Sequence, residues 1–151
     1  MACIHRVPAA PPPATALVVV DAPAWAAVLD RVLAACGLEP RRAVPEIACA
    51  ALAAWRYDLV VVADRSPGGD GLDAFALVRW LRDGRGAADP EAAVLLLCPA
   101  LTDKGRRLLT GCGASGILVG PVLTERRLER AVLAACAGRR PSGGRAPPSA
   151  A

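Results

Sequence analysis

The sequence predicts an α/β fold in which parallel strands form a central sheet and helices cover both of its faces. Short aliphatic runs, such as ALVVV at Ala16–Val20, are apolar at every position, which is typical of strands buried on both faces. Segments with apolar residues at helical spacing alternate with these runs, as they do in βαβ units. Hydrophobic residues make up 54% of the 151-residue chain, enough for a core of its own.

The first half of the chain contains two predicted strands and two predicted helices. The strand Ala16–Val20 is followed by a helix that contains Trp25 and ends near Gly37, since glycine is the common residue just past a helix. Leu38–Val44 is a second strand with a less clear pattern, because prolines lie in it and beside it. Pro45 opens the next helix as its first residue, and the apolar face of that helix is Ile47, Ala51, Leu52 and Trp55.

The second half repeats the alternation three times. Phe75, Leu77, Val78 and Leu81 are expected on the inner face of one helix, and Leu128, Val132 and Leu133 on that of the last. Five units in about 120 residues fit a flavodoxin-like, doubly wound (βα)5 fold. The predicted elements are the strands Asp58–Ala63, Ala93–Cys98 and Gly116–Val119 and the helices Leu72–Asp83, Asp103–Thr110 and Leu123–Ala137.

Composition divides the chain into one domain at residues 15–138 and two predicted disordered tails. Residues 1–14 are rich in proline and alanine, and residues 139–151 are basic and rich in proline, glycine and serine. The basic tail is short and lacks interleaved aromatic residues, so we expect no nucleic-acid partner. The longest apolar run, near Ala92 to Leu101, is too short to span a bilayer. We expect a cytoplasmic protein that does not contact a membrane.

The cysteine pattern tells against a bound metal or cofactor. The chain has six cysteines but no C-x-x-C pair, and its one histidine is His5. Zinc and iron–sulfur sites need closely spaced ligands of these types. In a reducing compartment the cysteines are expected to serve mostly as small core residues.

Four segments carry a resemblance to a known family. They are LVVVDAP after the first strand, YDLVVVADRSPGGDGL around the third, VLLLCPA at the fourth and GASGILVGPV at the fifth. In this order and at these separations, residues 15–138 resemble the receiver domain of bacterial two-component response regulators. The resemblance implies a domain that takes a phosphoryl group from a histidine kinase onto one aspartate, with Mg²⁺ held by neighbouring acids.

The resemblance places the phosphoacceptor position at Ala63. The family's aspartate stands four residues before the turn proline, here Pro67, and six residues after the tyrosine, here Tyr57. Both counts reach Ala63, so no shift by one residue moves the position to Asp64. A methyl group cannot attack phosphorus.

Most of the other functional positions of the family are also replaced. Its pair of metal-binding acids falls on Val20 and Asp21, its hydroxyl on Cys98 and its lysine on Gly120. With one acid left, we expect poor Mg²⁺ affinity. Ile117 stands where the family has an aromatic residue in the fifth strand. Pro121 matches the family's proline, which follows a cis peptide bond.

Three of these residues have two interpretations each. Asp64 is either a displaced phosphoacceptor or, as we prefer, a solvated acid that opens the turn and points away from the side of Ala63. Asp21 is either a remnant metal ligand or a cap for the following helix. Cys98 is either a reactive thiol or, as we prefer, an isostere of the family's hydroxyl residue.

Arginines concentrate on the last two predicted helices, the surface through which receiver domains meet partners. Together with Ile117 they form a predicted binding face for an acidic partner, a histidine kinase or another signalling protein; a second copy of the chain is the alternative occupant. The other interpretation of these arginines is a solvated helix face, the ordinary role of charges on helices. The arginines are Arg106, Arg107, Arg126, Arg127 and Arg130.

The sequence thus predicts a stand-alone, degenerate receiver that is not an enzyme and acts through protein–protein contact without phosphorylation. A phosphorylatable receiver that uses Asp64 is one alternative. A flavodoxin-like small-ligand module is another, but a phosphate-binding module would need a glycine-rich loop after the first strand, and the residues from Asp21 to Trp25 contain no glycine.

Overall fold

A computed structural model of the chain describes residues 14–20, 23–64, 71–120 and 122–137. Five strands form one parallel sheet in the order β2-β1-β3-β4-β5, which confirms the predicted doubly wound fold. The predicted tails lie almost entirely outside the described residues. The elements are β1 (Ala14–Val19), α1 (Pro23–Ala35), β2 (Leu38–Arg42), a 3-10 helix (Pro45–Ile47), α2 (Ala48–Ala54), β3 (Leu59–Ala63), α3 (Leu72–Asp83), β4 (Ala93–Cys98), α4 (Asp103–Thr110), β5 (Gly116–Val119) and α5 (Glu125–Cys136).

The element bounds match the sequence patterns closely, with a few differences. β1 begins at Ala14, the last residue of the predicted tail, instead of Ala16 and ends at Val19, and β2 ends at Arg42 instead of Val44. α3, α4, β4 and β5 have the predicted bounds. The helix that begins at Pro45 starts as a 3-10 turn and becomes α-helical only at Ala48. α5 begins at Glu125 rather than at Leu123, because the Thr124 hydroxyl caps it by accepting from the Arg127 N–H at 3.2 Å.

The sheet separates two apolar layers. One layer lies under α2, α3 and α4 and includes Val62, Leu96 and Cys98 of the strands. The other lies under α1 and α5 and includes Val61 and Leu97. Successive strand residues therefore serve opposite layers, which explains why β3 and β4 are apolar at every position.

One predicted core residue and one cysteine lie outside the core. Leu133 was expected to face inward, but it is 53% exposed, because Leu128, Val132 and Ala135 occupy the face of α5 that meets the sheet. Cys98 and Cys112 are buried as expected for small core residues, whereas Cys49 is exposed on α2. Cys36 and Cys136 are partly buried, and Cys3 lies outside the described residues.

Polar groups tie together the edge of the sheet where the strands begin, which we call the amino edge. The buried Asp58 carboxylate accepts the Thr15 N–H at 2.8 Å, and the Asp58 N–H donates to the Thr15 carbonyl at 2.9 Å. Ser115 and Val94 form a similar pair. The Ser115 hydroxyl accepts the Val94 N–H at 3.0 Å, and the Ser115 N–H donates to the Val94 carbonyl at 2.8 Å. These bonds fix the start of β1 against that of β3 and the start of β4 against that of β5.

Arg82 links the end of α3 to two further segments at the amino edge. Its guanidinium donates to the Pro90 and Ala92 carbonyls, each at 2.7 Å, and twice to the Gly113 carbonyl, at 2.9 and 3.1 Å. The end of α3 is thereby bonded to the segment before β4 and to the loop before β5. Sequence analysis had not singled out this residue.

Candidate functional site

The candidate site lies at the opposite, carboxyl edge of the sheet, where the strands end. Ala63 pairs with Leu97, and Cys98 pairs with Val119, so the ends of β3, β4 and β5 are adjacent. The Asp64 N–H donates to the Leu97 carbonyl at 2.8 Å, and the Gly120 N–H donates to the Cys98 carbonyl at 2.9 Å. The structure therefore brings together four predicted site residues, Ala63, Asp64, Cys98 and Gly120, and Val20 follows the neighbouring strand β1. Asp21 and Pro121 lie outside the described residues, so neither the acid pair nor a cis peptide bond is tested.

Ala63, the last residue of β3, is half-buried and packs against the layer under α1 and α5. It presents a methyl group where the sequence comparison places the phosphoacceptor. Its side chain has no lone pair to share, so Ala63 cannot act as a nucleophile or hold a metal ion.

Asp64 differs from its preferred interpretation. The expectation of a solvated acid is wrong, because the residue is only 7% exposed. Its N–H extends the β3–β4 ladder by one residue, which keeps Asp64 against the sheet instead of in the turn. Besides burial, the negative charge of Asp64 raises the pKa of Cys98, which belongs to the layer under α2 to α4. Ala63, in contrast, packs toward the layer under α1 and α5. The expected opposite orientation of Ala63 and Asp64 agrees with this placement.

Cys98 is a buried, protonated thiol. Burial raises its pKa from 9.0 to about 11, and the negative charge of Asp64 and the neighbouring Cys112 act in the same direction. Thiol reactivity depends on the thiolate, so Cys98 has little nucleophilic character near neutral pH. This favours the isostere interpretation over a reactive cysteine.

Gly120 has a backbone conformation that excludes an ordinary side chain. Its φ angle is +141°, in the region that favours glycine. A Cβ atom at this position would lie 3.6 Å from Nη1 of Arg127, whose Nη2 donates to the Val119 carbonyl at 3.2 Å. A cation from the first turn of α5 thus lies beside the position where the resemblance expects a lysine. Arg127 was predicted to belong to the partner face. Its contact with the end of β5 could not be predicted, because no local sequence pattern indicates it.

The described part of the carboxyl edge does not fit Mg²⁺. This ion prefers several hard oxygen ligands in octahedral geometry, and among the described site residues only Asp64 carries a carboxylate. Within the described ranges no group of three histidine, cysteine, aspartate or glutamate residues is arranged to hold a metal ion. Poor Mg²⁺ affinity stays a prediction, since Asp21 lies outside those ranges.

The predicted partner face is exposed, but its arginines have different surroundings. Arg106, Arg126 and Arg130 are exposed on α4 and α5, and Ile117 is half-buried in β5 between those helices in the chain. Arg107, in contrast, lines a recess between α3 and α4 together with Leu72, Lys104 and Leu108. Arg127 turns toward the end of β5, as described above. Of the five arginines, Arg106, Arg126 and Arg130 are therefore those whose side chains do not line this recess and make no hydrogen bond or ion pair with the part of the chain that the structure describes.

No family model and no curated protein matches the chain. Solved structures do match it. The signal receiver domain of a signal transduction histidine kinase from Syntrophus aciditrophicus is 25% identical, and the match covers 85% of this chain and 96% of that one with a TM-score of 0.68. The chemotaxis response regulator CheY4 of Vibrio cholerae is 20% identical over 81% of this chain and 98% of its own, with a TM-score of 0.66.

A third similar structure is the receiver domain of a sensor histidine kinase from Pseudomonas aeruginosa, which has a magnesium ion coordinated in its active-site cleft. It is 20% identical over 80% of this chain and 95% of its own, with a TM-score of 0.63. The chain has the flavodoxin-like receiver fold that these proteins share. No helix in the described ranges has the length and hydropathy needed to cross a membrane.

Proposed function

We propose that this chain is a degenerate receiver domain that signals through protein–protein contact and does not accept a phosphoryl group. The observation that carries the proposal is Ala63, a methyl-bearing residue at the end of β3 in a domain with the receiver fold. Phosphoryl transfer to a receiver needs a carboxylate nucleophile and cations that stabilise the transferred oxygens. At the positions that the resemblance assigns to the hydroxyl and the lysine, the carboxyl edge offers a protonated thiol at Cys98 and no side chain at Gly120. Its described charged groups are the buried Asp64 carboxylate and the Arg127 guanidinium, which is bonded to the Val119 carbonyl.

The proposed partner is a histidine kinase or another signalling protein with an acidic surface, which the domain meets in the cytoplasm. The binding face consists of α4, β5 and α5, with Arg106, Arg126 and Arg130 supplying positive charge and Ile117 and the 68% exposed Val122 supplying apolar contact. We expect no bound cofactor, no catalytic activity and no nucleic-acid or membrane partner. A second copy of the chain is the alternative occupant of this face.

A phosphodonor assay tests the absence of phosphorylation. The protein is incubated with acetyl phosphate and Mg²⁺, and its intact mass is measured together with that of a receiver known to be phosphorylated by the same donor. We expect no adduct on this chain under conditions that label the control. An adduct that survives removal of excess donor would contradict the proposal.

Asp64 defines the competing function, because it is a nearly buried carboxylate one residue from the expected acceptor position. The competing hypothesis predicts an adduct that disappears in Asp64→Asn. It also requires Asp64 to reach a phosphodonor from beneath the surface. Persistence of an adduct in Asp64→Asn would contradict both hypotheses about this edge.

Charge reversal tests the binding face. The triple variant Arg106→Glu, Arg126→Glu and Arg130→Glu changes the net charge by the same amount as Arg56→Glu, Arg79→Glu and Arg85→Glu, whose side chains are exposed elsewhere. We expect affinity for a purified partner to fall at least tenfold in the first triple variant and less than twofold in the second. Sedimentation of each variant alone distinguishes a second copy from a different partner. Equal affinities in the two triple variants would remove the proposed face.

A further inference from the structure

A second feature of the carboxyl edge is a cavity between α2 and α3. Its floor is formed by the ends of two strands, at Val19, Val62 and Ala63. Its volume is about 460 Å³, within the range of about 300–1,000 Å³ that small-molecule sites occupy. The two walls are Pro45, Glu46 and Cys49 on one side and Asp73, Ala76, Leu77 and Trp80 of α3 on the other.

The residues that line the cavity disfavour a negatively charged ligand. Seven of the ten lining residues are aliphatic, aromatic or proline, and the two acidic residues of the lining are Glu46 and Asp73. No lysine, arginine or histidine is present among the described residues that line it. A phosphate or carboxylate ligand would therefore lose its hydration without gaining a cation, which is strongly unfavourable. Glu46 and Asp73 already engage other groups in the protein, so they do not demand a cationic ligand.

The indole ring of Trp80 favours an aromatic ligand. The ring is partly buried in the layer under α2 to α4 and forms one side of the cavity. Indole rings bind other aromatic systems through offset stacking or edge contacts, in addition to the apolar area that they cover. Val62 and Leu77 supply further apolar surface next to it.

We propose that this cavity binds an uncharged aromatic molecule. The inference goes beyond the proposed protein–protein function and does not depend on it, because the cavity lies between α2 and α3, away from β5 and α5. The ligand would contact both α2 and α3 and so hold these helices against each other.

A fluorescence titration tests the proposal with Nile red, an uncharged aromatic probe, on the full chain. We expect saturable binding at one site per chain. The anionic dye 1-anilinonaphthalene-8-sulfonate should bind at least tenfold more weakly. Absence of saturable Nile red binding, or equal affinity for the two dyes, would overturn the proposal.

A matched pair of variants locates the binding site. Ala76 is exposed on α3 and lines the cavity, so Ala76→Phe fills the space without disturbing the core. Ala53 is exposed on α2 and does not line it, so Ala53→Phe adds the same ring elsewhere. We expect a loss of at least tenfold in Nile red affinity for the first and less than twofold for the second, with both circular dichroism spectra unchanged. Equal affinities would place the dye outside the cavity and overturn the proposal.

Cys49 provides a readout that does not require a variant. It is exposed and lines the cavity, whereas Cys36 is partly buried on the other side of the sheet. Saturating Nile red should slow alkylation of Cys49 by iodoacetamide at least fivefold and leave Cys36 unchanged, as measured by peptide mass. Unchanged alkylation of Cys49 in the presence of bound dye would contradict the assignment.

Discussion

The two edges of the sheet are built from different kinds of residue. At the amino edge, buried or partly buried polar groups are paired: Asp58 with Thr15, Ser115 with Val94, and Arg82 with three carbonyls. At the carboxyl edge, β3 and β4 end at Ala63 and Cys98, and Gly120 follows β5; the side chains of these three residues offer no charge near neutral pH, and Asp64 is the carboxylate beside them. Paired polar groups thus organise the amino edge, whereas three of the four site residues that meet at the edge where α/β proteins place ligands carry no charged side chain.

This difference teaches that the fold does not need a charged side chain at the end of β3. Strand pairing and the two apolar layers are complete with alanine at position 63. The hydrogen bonds that fix the starts of the strands lie at the amino edge, whereas Ala63 lies at the carboxyl edge. We therefore expect substitutions at one edge to leave the other edge intact, and variants at each edge in turn test this independence.

The largest effect is expected for Arg82→Met at the amino edge. The substitution keeps much of the side-chain volume but leaves the carbonyls of Pro90, Ala92 and Gly113 without the guanidinium. We expect the free energy of unfolding to fall by about 3 kcal/mol, since bonds to a charged donor are lost and carbonyls are left unpaired. The measurement is urea unfolding followed by circular dichroism. Arg79→Met, on the exposed face of the same helix, should change the value by less than about 0.5 kcal/mol; equal losses would show that Arg82 does not organise this edge.

A smaller effect is expected from the pH dependence of Cys98 at the carboxyl edge. Its pKa of about 11 in the folded protein exceeds the ordinary 9.0, so the unfolded chain loses this proton first as the pH rises. The stabilisation is therefore fully present below pH 9 and is lost between about pH 9 and pH 11.

The variant Cys98→Val isolates this titration, because other groups titrate equally in both proteins. Between pH 8.5 and pH 10.5 the wild type should lose about 1.5 kcal/mol more unfolding free energy than the variant. Unfolding curves in reducing buffer at both pH values give the comparison. Parallel losses in the two proteins would mean that the thiol is already open to solvent, and the carboxyl edge would then be less apolar than described.

The smallest effect is expected for Gly120→Ala. The φ angle of +141° strains any residue with a Cβ atom, so we expect a loss of about 1 kcal/mol in unfolding free energy. Gly111→Ala is the matched control, since its φ is −99° and an added Cβ atom would meet no atom within 4 Å. An equal effect in the two variants would show that the backbone at Gly120 can relax and accept a side chain.

Sequence patterns predicted the elements well where one physical rule dominated. The apolar runs of β3 and β4 and the glycine stop after α1 predicted these elements to within one or two residues of their observed bounds, because burial and backbone conformation follow directly from residue type. Leu133 was placed wrongly because Leu128, Val132 and Ala135 already occupy the face of α5 that meets the sheet.

The site was less predictable, because its properties depend on contacts across the fold. Counting from Tyr57 and Pro67 identified Ala63, but the burial of Asp64 follows from an extra ladder bond to Leu97, which no local pattern signals. The positions of Arg82 and Arg127 likewise depend on carbonyls that are distant in the sequence or presented by the end of a strand. The cavity beside Trp80 is formed by four separate segments of the chain and has no sequence signature.

Helix α2 is the helix that we expect to unfold locally before the rest of the domain. It has only seven residues, follows a 3-10 turn and has no side-chain cap at its first residue, whereas α1 on the other face has thirteen. Its inner contacts are also interrupted by the cavity on the side of α3. Local unfolding begins where packing is sparse, so amide hydrogens of α2 should exchange with deuterium well before those of α1. The domain would then sample an opened form in which α2 detaches while the sheet and the opposite helices stay folded.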